Sequence, residues 1–232
     1  MNFAQAFCIL CAVSVVAVAG SASQANELCS LNTEVKIVRT KSYSYASCGF
    51  PAASISGKEI AIGDDGSSAG PTSCMAQVCL FDAVTGLRLR HWNMSNNALA
   101  DLGEHLAPLS ELLKTKAFQS MARMEYIPQK RGEIHRGSGL TVALNVAKNA
   151  STIAVEGDGY AQAVHRFKPR IAHCESEPDE RVVPQSVYPW ALEGFPAIVV
   201  GAQYGGAEMG CTWMEWIVIP LKQKPKKQPS AK

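Results

Sequence analysis

Two short acidic turns hold the residues of this chain best suited to a hard cation. Asp64 and Asp65 follow the apolar run Ile60-Ala61-Ile62, and Glu156 and Asp158 follow Ile153-Ala154-Val155. Calcium binds to clustered oxygen ligands, so these four carboxylates are the candidate metal ligands, although neither turn has the spacing of an EF-hand loop or a calcium-binding solenoid. Plain hairpin turns account for the same residues, since Asp bonds its own backbone and Gly takes positive φ. His-Glu-x-x-His, Walker-type and dinucleotide-binding glycine patterns are absent, and no cofactor is expected.

Nucleophilic chemistry needs a base beside a hydroxyl or thiol, held by an orienting acid. Histidines stand at 91, 105, 135, 165 and 173, and Glu104-His105 and Glu133-Ile134-His135 are placed to pair locally. Gly137-Ser138-Gly139 lacks the spacing of a Gly-x-Ser-x-Gly nucleophile turn and precedes an apolar strand. The thiols read differently. Cys8 and Cys11 fall inside an amino-terminal apolar run, which leaves Cys29, Cys48, Cys74, Cys79, Cys174 and Cys211, an even set that suits disulfides in an oxidising compartment. Proximity along the chain favours Cys29 with Cys48, Cys74 with Cys79 and Cys174 with Cys211. Each of the longer loops would restrict the unfolded chain by about 3 kcal/mol.

The apolar run, from about Phe7 to Ala19, leads into the small residues Gly20-Ser21-Ala22-Ser23-Gln24-Ala25. That is the layout of a cleavable signal peptide over residues 1–25, too short to span a bilayer. A secreted or periplasmic protein follows, and no later segment is long and apolar enough to cross a membrane. Residues 26–220 are expected to form one domain with 17 basic and 20 acidic groups, a net charge of −3. The tail 221–232 adds five lysines and no acid, and reads as a disordered, solvated end with an acidic surface as its alternative partner. No other segment looks like a nucleic-acid patch.

Positioning falls to short strands. Glu59-Ile60-Ala61-Ile62-Gly63-Asp64-Asp65-Gly66 echoes Thr152-Ile153-Ala154-Val155-Glu156-Gly157-Asp158-Gly159 at an offset of 93, and Ala197-Ile198-Val199-Val200-Gly201 repeats the outline. Each unit reads as two strands joined by a Gly and Asp connection. Asp82-Ala83-Val84-Thr85-Gly86 turns into Leu87-Arg88-Leu89-Arg90-His91-Trp92, whose alternation sets the leucines and His91 on one face and Arg88, Arg90 and Trp92 on the other. Strand, Asp-x-x-Thr-Gly turn, strand resembles the outer hairpin of β-propeller blades. The expected fold is therefore mostly β (α+β), built from repeated hairpins, propeller-like or a sandwich.

A helical insertion is expected near 96–124: a short helix capped by Ser95 or Asn96 through Leu106, then a second opened by Pro108 and running from Leu109 to about Met124. Further strands are expected at 34–39, 140–147 and 181–188. Trp213 and Trp216, three apart in a strand, face opposite sides, one toward the core and one toward a recognition surface. These features favour an exported β-rich binding or structural protein without catalytic activity, acting on a protein or small ligand. An exported hydrolase with a non-standard Ser/His/acid site and a calcium-stabilised surface protein stay open.

Overall fold

The computed structural model describes residues 35–39, 45–63, 77–93, 99–129, 132–147, 150–172, 180–205 and 213–224. The signal segment, Cys29, Cys74, Cys174, Cys211, Asp64, Asp65, His173, Ser95, Asn96 and the tail beyond 224 lie outside them.

The chain is mostly β, and every strand pair among the described residues is antiparallel. Strands β1 (Lys36–Arg39) and β2 (Tyr45–Cys48) make a hairpin, and β3 (Ala52–Ser54), β4 (Glu59–Gly63), β5 (Gln77–Asp82) and β6 (Arg88–Asn93) make a meander. Helix α1 (Leu99–Thr115) follows. Three very short strands come next, β7 (Phe118–Ser120), β8 (Ala122–Arg123) and β9 (Glu125–Ile127). A second meander comprises β10 (Glu133–Gly137), β11 (Leu140–Ala147), β12 (Ala150–Gly157) and β13 (Tyr160–Phe167). The pair β14 (Arg170–Ala172) and β15 (Glu180–Val182) leads into β16 (Pro184–Ala191), β17 (Ala197–Tyr204) and β18 (Trp213–Pro220).

Side-chain alternation stacks these meanders in layers. Strand β17 sends Ile198, Val200, Ala202 and Tyr204 into one core with Leu144, Ile153 and Val155 of the second meander, and Ala197 and Val199 into another with Ile60, Ile62 and Phe81 of the first. The β16–β18 sheet is thus the middle layer, and β17 is buried on both faces, as its unbroken apolar run requires. The echoing residues Ile60 and Ile153 are both fully buried, and both face this middle sheet, from opposite sides. A third core, holding Ala61, Val78, Leu80 and Trp92, is covered by Leu109 and Leu113 of α1.

The helical expectation for 96–124 is corrected. One helix runs through Pro108, with Leu109, Leu112 and Leu113 on its packed face, and Lys114 in its last turn suits the negative end of the helix dipole. It ends at Thr115, and Ala117, two residues on, leaves the helical region with a φ of 48°. Phe118, Met121 and Met124 keep a helix-like spacing of three, yet they serve three different cores, one each. The segment is a strap: β7 pairs with β3, β8 with β16 and β9 with β10, so it edges all three sheets in turn. Between these strands the N–H groups of Met121 and Met124 donate to the carbonyls of Pro51 and Pro189, at 2.9 Å each.

Polar clamps join the layers at their margins. The Glu133 carboxylate on β10 accepts from the Ser186 hydroxyl at 2.6 Å and the Val187 N–H at 2.9 Å, both on β16. Lys116 beyond α1 donates to Glu59 on β4 at 2.6 Å.

Candidate functional site

A cleft of about 740 Å³ opens where the edges of the three sheets meet. Its walls are β13, the outer strand β18, and the turn between β5 and β6. That turn forms as its residues dictate: the Asp82 carboxylate accepts from the N–H groups of Val84 and Thr85 and from the Thr85 hydroxyl, at 2.7–3.0 Å, and Gly86 takes a φ of 71°. The Thr85 N–H, ahead of the other donors, holds the Asp82 carboxyl below its ordinary pKa. Gly86 also lets the turn approach β18, because a Cβ there would stand 2.7 Å from the Val218 carbonyl oxygen.

A β-bulge then decides which side chain enters the cleft. The register shifts between Leu80 and Phe81, pairing Phe81 with Arg88 but Leu80 with Arg90. Arg88 therefore shares a face with Phe81 and lines the cleft, whereas Arg90 lies over the Trp92 ring, 4.9 Å from its centroid, on the helix side. The single basic face expected from alternation is split by this bulge.

At the cleft wall, Glu215 is buried and gripped by Arg170 through two bonds, Nη2 to Oε1 at 2.7 Å and Nε to Oε2 at 3.2 Å. Tyr204 adjoins the pair, and burial first, then the Glu215 charge, pushes its phenol above the ordinary range. The Tyr204 ring stacks on Trp213 with centroids 5.2 Å apart, and meets Phe167 edge-on. Phe167 in turn meets His165, a cleft residue, at 5.0 Å. Burial lowers the His165 pKa, and the Glu215 charge opposes the shift. The apolar lining comes from Phe81, Val164, Trp216 and Ile217, and the exposed cations are Arg88 and Lys222.

The structure sorts the sequence candidates. Glu156 and Asp158 sit at the β12–β13 turn, where Glu156 accepts a bond from Gln162 at 2.6 Å; their counterparts Asp64 and Asp65 fall outside the described residues. Among the described residues, no group of three His, Cys, Asp or Glu side chains could hold a metal ion. Cys48 and Cys79 are buried, at 1% and 0% exposure, while the other four cysteines lie outside the description. His135 does pair with Glu133, at 3.4 Å, but the Ser186 hydroxyl donates to the same carboxylate, so the acid stands between serine and imidazole. A hydrolytic triad needs the imidazole between the two. His91 is exposed on β6, and Trp213 and Trp216 face opposite sides of β18 as their spacing demands.

Arg88, Arg170 and Glu215 were not legible as site residues. Arg170 and Glu215 are 45 positions apart and meet only through the sheet stack, and Arg88 reaches the cleft through the bulge. No helix among the described residues is long and apolar enough to cross a membrane. Comparison with protein-family models, curated proteins and solved structures finds no match.

Proposed function

We propose that this chain is an exported, non-catalytic binding protein whose ligand is a small amphipathic anion seated in the cleft between the three sheet edges. One observation supports this most directly: an apolar wall is flanked by the cations Arg88 and Lys222, while the buried acid, Glu215, is matched by Arg170. Sites of this kind take an apolar body against aromatic and aliphatic side chains and fix its polar end with a few charges. Among the described residues that line the cleft there is no Ser or Cys, and the hydroxyl of Thr85 is committed to Asp82, which favours binding over acyl transfer.

The same reading includes removal of residues 1–25, three disulfides among Cys29, Cys48, Cys74, Cys79, Cys174 and Cys211, and a solvated lysine tail beyond 220. Ile60 and Ile153, facing the middle sheet from opposite sides, favour a layered sandwich over the single rotational order of propeller blades. Intact mass before and after reduction and alkylation tests cleavage and bridging together. For the ligand, dodecanoate is titrated into the purified chain by calorimetry. Saturable one-to-one binding is expected, at least tenfold weaker for dodecanol and for the double variant Arg88→Gln/Lys222→Gln. Equal binding of acid and alcohol, or none of either, would refute the reading.

A further inference from the structure

The middle sheet leaves part of one face open. Ala197, Val199 and Val218 on that face are covered by the first meander, but farther along Tyr188, Trp190, Gln203 and Met214 border a recess of about 590 Å³ together with Trp216 and Arg123. These aromatic residues are only half-buried, although every other apolar side chain of β16 and β17 is buried. Aromatic area kept at a surface is the usual material of a recognition site.

Gly201 shapes the floor. A Cβ at that position would lie 2.7 Å from Met214 Sδ and 3.2 Å from the Trp216 ring, so both side chains lie across β17 only because glycine is there. Trp190 and Trp216 have centroids 5.1 Å apart and planes inclined at 45°, which makes an angled aromatic pair. The Tyr188 hydroxyl donates to Gln203 Oε1 at 2.7 Å, fixing the amide so that its NH2 group remains the donor for a ligand. The Arg123 guanidinium lies over Tyr188 at 4.8 Å and Trp190 at 5.8 Å. Among the described residues no carboxylate pairs with it.

We infer that this recess is a second binding site, sharing only Trp216 with the amphiphile cleft, for a pyranose ring bearing a carboxylate, as in an acidic polysaccharide. The C–H bonds on a sugar face are weakly positive and meet the negative face of an indole. A guanidinium stacked by its face directs its N–H groups within its plane, where a carboxylate takes two of them. The Gln203 amide then donates to a ring hydroxyl. The charge decides between saccharide and peptide: a proline-rich peptide uses an aromatic groove but leaves Arg123 without an anion, and a β-strand ligand needs a sheet edge, whereas this recess lies on a sheet face.

Titration of the purified full chain with trigalacturonate, followed by tryptophan fluorescence, tests the assignment. Saturable binding is expected, with maltotriose at least tenfold weaker. Arg123→Gln should weaken trigalacturonate binding at least tenfold and Arg123→Lys less, and Tyr188→Phe should weaken it several-fold by releasing Gln203. Arg88→Gln should leave it unchanged, so this site and the cleft fail separately. Because Arg123 is exposed, its variants should keep the wild-type unfolding curve. No saturation by trigalacturonate, equal affinity for the neutral sugar, unchanged affinity in Arg123→Gln, or tighter binding of an acidic peptide would overturn the inference.

Discussion

Met121 and Met124, three residues apart on one strap, fill two different interfaces: Met121 lies between the first meander and the middle sheet, and Met124 between the middle sheet and the second meander. Both are 4% exposed. Truncating either to alanine leaves a cavity that neighbouring side chains close only in part, at a cost of about 2–5 kcal/mol. Because the two cavities open in separate cores, the costs should add in the double variant, within about 0.5 kcal/mol. Denaturant titration of the single and double variants checks both points, and strong non-additivity would mean that the two interfaces are coupled.

Gly86 and Gly159 both have positive φ, 71° and 82°, but of the two only at Gly86 would a Cβ meet another strand. Gly159→Ala should therefore cost about 1–2 kcal/mol, the penalty of a left-handed L-residue alone. Gly86→Ala adds the collision with the Val218 carbonyl, so it should cost more and also weaken dodecanoate binding, since Val218 lines the cleft. Thermal unfolding and calorimetry on the two variants separate backbone strain from close approach. Equal losses with unchanged ligand affinity would show that the turn yields without disturbing β18.

The β-rich class, the hairpin with its Asp82 turn, the echoing strands and the opposed tryptophans of β18 were legible because each rests on local chemistry or on the period-two alternation of a strand. The span expected to be helical ran on to about Met124 because Phe118, Met121 and Met124 stand three apart: three cores, each taking one apolar side chain from a passing strap, mimic the period of a helix. Likewise the bulge at Leu80 and Phe81 breaks an alternation that looked continuous through Arg88, Arg90 and Trp92. The Arg170–Glu215 pair left no local trace, since Arg170 on β14 reaches Glu215 on β18 only across the folded stack.

His135 and His165 give stability a pH dependence with a definite sign. Burial is the main cause that lowers both pKa values, opposed by Glu133 at His135 and by Glu215 at His165. Below the ordinary imidazole value of about 6.5, the unfolded chain thus binds protons that the folded chain resists. Their contribution is present above that value and is lost as pH falls toward the depressed folded values. Asp82 acts in a lower window: its carboxyl is held down in the fold, so its contribution is lost only as pH drops below about 3.9. Denaturation midpoints should fall between pH 7 and pH 5, and His135→Gln should flatten part of that fall while Asp82→Asn leaves it in place. A midpoint rising on acidification would contradict the assignment.

The Arg170–Glu215 clamp predicts an asymmetry between single and double replacement. Arg170→Met leaves the Glu215 carboxylate, 7% exposed, without its two-pronged partner beside an apolar wall. Arg170 itself is about one-third exposed, so solvent reaches the pair and the loss should be near that of a charged hydrogen bond, about 2 kcal/mol. Removing both charges in Arg170→Met/Glu215→Met abolishes the carboxylate that has lost its cation and should recover much of the loss, as replacement of a buried ion pair by apolar side chains is often close to neutral. If the pair serves mainly to keep the cleft wall apolar and uncharged toward an incoming anion, Arg170→Met should also weaken dodecanoate binding by repulsion from Glu215, and the double variant should restore it. Denaturation and calorimetry on the same three proteins separate the two roles: parallel recovery of stability and affinity is expected, whereas recovery of stability alone would assign Glu215 a direct contact with the ligand.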